Sequence, residues 1–222
     1  MPLALEEAAA LRSLGNYAQA HRRLAAASTG SEAPVDGHIS LLTQRALAAA
    51  RIRDSTDEPP ALLEQAGRLL PKDEGANPGP GLRLTLARAE ILSLDGRLSD
   101  LPVSLGDDFA DPAAPPGLRL MAGIRRGQQE AAAGRFDEAL TLAALIRDRL
   151  AGGIPADVRT REQFFHHLFF LLVRCGELGQ ALALTESVAR PGNGTGLRAG
   201  AGTELPAGLV HAYAGRGDAA LD

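Results

Sequence analysis

The 222-residue chain reads as an all-α protein, and three observations carry that reading. Ala occurs 41 times and Leu 36 times, whereas Val and Ile together occur 12 times. Small and straight-chain residues favour helices, while β-branched and aromatic residues favour strands. The balance excludes an all-β fold and a Val/Ile-rich parallel sheet. Apolar residues also recur at three- and four-residue spacing, the period of a helix with one buried face. Finally, short Gly turns alternate with longer Pro/Gly loops, which sorts the helices into pairs.

The elements follow in order. The pattern predicts a helix over 3–14, a break at Gly15-Asn16, and a helix over 17–27 with Tyr17, Ala20, Leu24 and Ala27 on one face. A loop over 29–35 closes this pair. Asp36 is expected to cap the next helix, 36–53. Pro59-Pro60 opens its partner, 59–70, because proline suits a first turn. A Gly/Pro-rich loop fills 71–80. Helix 82–94 turns at Asp95-Gly96 and then meets Leu101-Pro102 and Gly106. These are poor helix residues, so a short or irregular segment is expected, followed by a loop over 107–116.

The fourth pair is the clearest. Helices 117–133 and 136–150 flank Gly134-Arg135, and Phe136, Ala139, Leu140, Ala143, Ile146 and Leu150 form an apolar stripe on the second. Helices 157–175 and 178–190 flank Gly176. A Gly-rich loop, 191–203, leads to a sixth first helix, 204–214, which reaches Gly215.

The short turns share one frame. Gly134-Arg135-Phe136-Asp137-Glu138-Ala139-Leu140 matches Gly215-Arg216-Gly217-Asp218-Ala219-Ala220-Leu221 at five of seven positions. Gly176 to Leu182 and Gly15 to Ala20 fit the same frame, and Gly96-Arg97-Leu98 begins it before departing. The glycines are 81, 38, 42 and 39 residues apart, and 81 is two periods. A fixed period of about 40 residues with a helix pair in each unit is the pattern of a stacked helical array. Gly ends a helix in the left-handed conformation, an apolar residue opens the next helix, and a small Ala lets the two helices cross closely.

This turn resembles that of the tetratricopeptide repeat, whose second helix opens with Gly-Asp-Tyr-x-x-Ala or a close variant. Gly15 to Ala20 and Gly134 to Ala139 are the best matches. The units are longer than the common 34 residues, and the first-helix aromatic is mostly missing, so the likeness is to a divergent member. The resemblance implies a right-handed α-solenoid of antiparallel helix pairs. Its approximate units are 1–35, 36–80, 81–115, 116–155 and 156–203, with 204–222 incomplete. It also implies a concave groove lined by the first helix of each pair. Removing the packing positions leaves Arg83, Glu90, Gln128, Gln163, His166, Phe170 and Arg174 as candidate groove-binding residues. Arginines and exposed aromatics are common binding anchors.

Charge and composition narrow the function classes. The net charge is −4, with basic and acidic residues mixed along the chain. No segment carries the basic excess of a nucleic-acid footprint. Of the 23 basic residues only Lys72 is not Arg, and with abundant Ala, Gly and Pro this resembles a high-GC bacterial bias. Cys175 is the sole cysteine, so no intrachain disulfide forms. Glu6 and Glu7 stand where a signal peptide would be basic and then apolar. No apolar run approaches the length needed to span a bilayer. These features predict a soluble cytoplasmic protein.

The chemical motifs reduce to packing or loops. Gly194-Thr195-Gly196-Leu197-Arg198-Ala199 matches a dinucleotide fingerprint, but that motif works between a strand and a helix, and the preceding segment is helical. His166 and His167 are adjacent on a helix and point about 100° apart, whereas paired metal ligands need a spacing of three or four. Cys175 ends an apolar helix and reads as a packed small side chain. Asp107, Asp108 and Asp111 read as solvated charge rather than a calcium site. No cofactor is implied. The expected function is a non-enzymatic protein–protein interaction scaffold that binds a peptide or protein segment in its groove. An alternative is the sensor or assembly arm of a larger bacterial signalling or transcription regulator, motivated by the unfinished sixth pair. An enzyme using Cys175, His166 or His167 is the remaining alternative.

Overall fold

The computed structural model describes residues 2–28, 34–52, 57–70, 78–102, 104–151 and 158–189. The sixth first helix, the Gly215 frame with Ala220, and the loop at 191–203 lie outside the described residues. Among those described there are ten α-helices and no strand. In chain order they are α1 (Pro2–Ser13), α2 (Tyr17–Ser28), α3 (Val35–Ile52), α4 (Glu58–Arg68), α5 (Gly79–Leu94), α6 (Leu105–Ala110), α7 (Pro116–Ala132), α8 (Phe136–Ala151), α9 (Val158–Arg174) and α10 (Leu178–Ala189). A 3-10 turn, Leu98–Asp100, lies between α5 and α6. The helices pack in neighbouring pairs.

Four turns repeat one geometry. Gly15, Gly96, Gly134 and Gly176 have φ of 74°, 73°, 79° and 78°. This left-handed region penalises a side chain and suits glycine. The residue after each glycine donates its N–H across the turn to a carbonyl five residues back. Asn16 reaches Leu11 at 2.8 Å, Arg97 reaches Leu92 at 2.8 Å, Arg135 reaches Glu130 at 2.9 Å, and Glu177 reaches Leu172 at 2.8 Å. This is the Schellman arrangement, which satisfies carbonyls that a helix end would otherwise orphan. Five residues after three of these glycines stand Ala20, Ala139 and Ala181, each 0% exposed. The fourth turn has Leu101 at that position, then Pro102. Proline has no N–H to give a helix, and only the 3-10 turn forms there.

Two expectations are corrected. Asp36 does not cap α3. The N–H of His38 bonds to the carbonyl of Pro34, and Asp36 sits inside the first turn. There its charge still opposes the positive end of the helix dipole. The expected loop over 107–116 contains the second half of α6. Leu105 and Phe109, four residues apart, are both buried and anchor that turn of helix.

The chain divides into two compact units, residues 1–125 and 126–222, with the boundary inside α7. In the first, Ala8, Ala20, Leu24, Leu41 and Ala48 form one core cluster among α1, α2 and α3. Ile39, Leu42, Ala46, Leu62, Leu63, Ala66, Leu84 and Ala87 form another among α3, α4 and α5. Helix α3 contributes to both, so it is covered on two sides. In the second unit α9 packs against α8 and α10. Phe164, Phe165, Leu168, Phe169, Leu171 and Leu172 of α9 are buried, together with Ala143 and Ile146 of α8. No described helix is long and apolar enough to cross a membrane.

Candidate functional site

Arg83 and Glu90 are seven residues apart on α5, two helical turns, and therefore share a face. Both reach toward α3. Arg83 Nη1 donates to Ser40 Oγ at 2.5 Å. The Glu90 carboxylate lies 3.5 Å from Arg51 Nη2 and 3.7 Å from Arg125 Nη2 of α7. The Glu90 side chain is only 12% exposed and that of Arg125 only 9%, whereas Arg51 is 40% exposed. A carboxylate this deep must be paired, because an isolated buried charge loses far more hydration than the fold returns. Arg51 is also set over an aromatic face, with its guanidinium carbon 5.8 Å from the centre of the Tyr17 ring. Of the two guanidiniums on this carboxylate, Arg51 is the one that reaches solvent.

A second polar cluster joins α2, α3 and α4. His21 Nε2 lies 2.9 Å from Glu58 Oε1, and Arg45 Nη2 donates to the same oxygen at 2.7 Å. Arg45 Nε lies 3.2 Å from His21 Nε2. A ring nitrogen either donates or accepts, so His21 serves one of these partners at a time. Burial raises the Glu58 carboxyl, but the hydrogen bonds from Arg45 and His21 outweigh it and hold Glu58 below the usual glutamate range.

The remaining sequence candidates belong to the second unit. Gln128 is half-buried on α7. On α9, His166 and Phe170 are four residues apart and both exposed, with Phe170 at 47%. The His166 ring meets Phe165 edge-on at 5.7 Å, and Phe170 meets Phe169 edge-on at 5.2 Å. Gln163 and Arg174 fall on α9 at spacings that continue this stripe, but their side chains lie outside the described ones. His167 points the other way and is 8% exposed against Gly127 of α7. The adjacent histidines are therefore split between solvent and core. Cys175 is half-buried in the turn after α9. Asp107 and Asp108 stand in the first turn of α6, where burial, then Asp107 and Asp111, raise the Asp108 carboxyl.

The structure thus brings Arg83 and Glu90 together on a face of α5 in the first unit, and His166 and Phe170 together on a face of α9 in the second. Sequence reasoning missed Ser40, Arg51 and Arg125. Ser40 and Arg51 are eleven residues apart on α3, three turns, so a stripe count on that helix shows them. Their pairing with α5 requires tertiary geometry. No family model, no curated protein and no solved structure matches this chain.

Proposed function

We propose that the chain is a non-enzymatic protein–protein interaction scaffold, a tetratricopeptide-like solenoid of cytoplasmic type. It binds a peptide or protein segment along the polar face of its first helices. The observation that carries this reading is the Arg83–Ser40 and Arg51–Glu90–Arg125 arrangement. It is a fixed set of guanidiniums on α3, α5 and α7, with one arginine half in solvent. Guanidiniums held by neighbours are pre-oriented, so little entropy is lost when they take a carboxylate or backbone carbonyl. The exposed His166 and Phe170 on α9 supply a separate aromatic anchor of the kind that interfaces favour.

The test is a displayed library of random peptides selected on the full chain. Selected peptides should lose affinity by about tenfold or more on Arg83→Glu or Arg51→Glu, with unchanged helical circular dichroism. Peptides that bind both variants as well as the parent would reject this face.

A further inference from the structure

The α1–α2 pair carries an open, partly apolar surface on the side away from its buried contact with α3. One side of the pair is already occupied. Ala8, Ala20 and Leu24 are buried with Leu41 and Ala48 of α3. Between the same two helices lies an open groove of about 560 Å3. Ala10 and Leu11 of α1 and Ala26 of α2 supply its apolar lining, and Gln19, Arg22 and the Arg23–Glu7 pair its polar lining.

Helix α1 extends the apolar surface beyond the groove. Leu3, Glu7 and Ala10 of α1 and Leu14, in the turn just after it with its N–H on the carbonyl of Ala10, follow one another at spacings of four, three and four, so they share one stripe. Leu3 is 65% exposed and Leu14 is 81% exposed. They stand near the two ends of the stripe, about 16 Å apart along the axis, which is three helical turns. The small Ala10 and Ala26 between them leave room for a ridge of side chains from a third helix, the way helices commonly pack.

The charges identify what fits. Glu7 is already committed, because Arg23 Nε bonds to it at 2.6 Å. Arg22 is exposed and forms no ion pair among the described residues. The uncompensated charge of the groove is therefore positive. A second copy presenting the same face would bring another guanidinium instead of a carboxylate. We propose that this groove receives an amphipathic helix of a partner protein, about three turns long, with an apolar face for Leu3, Ala10 and Leu14. An acidic side chain near its middle meets Arg22.

The surface is separate from the Arg83 face, so the two proposals are tested apart. The probes are two fluorescein-labelled helical peptides of about 15 residues. Both carry Leu and Ala on one face. One has two mid-helix glutamates, and the other has lysines in their place. Anisotropy is read on the full chain at low salt. The acidic peptide is expected to bind, and the lysine peptide to bind about tenfold more weakly or worse. Leu14→Glu and Arg22→Glu should each weaken the acidic peptide about tenfold, Arg22→Lys should retain most of the binding, and Arg83→Glu should change nothing. Leu14 and Arg22 are exposed, so these variants leave the core intact. Equal binding of the two peptides, indifference to Leu14→Glu, or no binding at all overturns the proposal. A parent dimer that Leu14→Glu dissociates in sedimentation velocity would assign the face to a second copy and also overturn it.

Discussion

At Gly127 only a hydrogen fits. A Cβ placed there would stand 2.8 Å from Nε2 of His167, closer than carbon and nitrogen approach. The ring has little room to retreat, since His167 is 8% exposed. Gly127→Ala should therefore destabilise the second unit by ~1–2 kcal/mol, with the steric cost outweighing the better helix propensity of alanine. The control is Gly106→Ala in α6, where a Cβ meets nothing within 4 Å. That change should hold or raise the melting temperature, because alanine loses less backbone entropy on folding. A fall in both variants would show that helix propensity and packing had been misjudged. Glu58 makes a prediction in pH. Its folded carboxyl sits below the usual range, held there by Arg45 and His21 against the opposing effect of burial. The stability it contributes is complete above the unfolded value and disappears as pH falls through the depressed one. Glu58→Gln should lower stability at neutral pH and flatten its decline in acid. A chemical-denaturation series from neutral to acidic pH reads both effects.

At the scale of elements, the glycine turns are one of the local signals by which helices could be read in advance. Each of the four has positive φ, and at Gly15, Gly96, Gly134 and Gly176 alike a Cβ would meet nothing within 4 Å. Substitution there costs conformational strain alone. Gly134→Ala should destabilise by ~1–2 kcal/mol, and Gly134→Asn by less, since asparagine tolerates the left-handed region better. Equal melting temperatures for the two variants would argue against strain as the cause. Because these turns, the Pro59-Pro60 start and the apolar stripes are local signals, α1, α2, α3, α4, α5, α7, α8, α9 and α10 were legible from sequence to within a few residues. Helix α6 was not. Gly106 and the Asp107-Asp108 run look like a loop until Leu105 and Phe109 find a buried surface, and that surface is tertiary. The candidate site divides the same way. Arg83 and Glu90 are visible as a stripe on α5. Arg51 and Arg125 become part of it only when α3 and α7 bring their guanidiniums to one carboxylate.

For the whole molecule, a stacked array and a single-core bundle differ in how damage spreads. In an array each helix pair depends mainly on its neighbours, so a local defect stays local and fades along the chain. In a bundle with one shared core it lowers protection everywhere. Ala20 in the first unit and Ala181 in the second hold the same place in the turn frame, and both are 0% exposed. Ala20→Glu and Ala181→Glu each bury a carboxylate with no designed partner, a change expected to cost several kcal/mol, roughly 3–5. Hydrogen exchange can then follow the two defects along the chain. In an array, Ala20→Glu should expose the amides of α1, α2 and α3 while α9 and α10 keep their parent protection, and Ala181→Glu should do the reverse. Loss of protection in every helix from either substitution would mean that the chain unfolds as one cooperative body. The repeat would then be a property of its turns and not of its energetics.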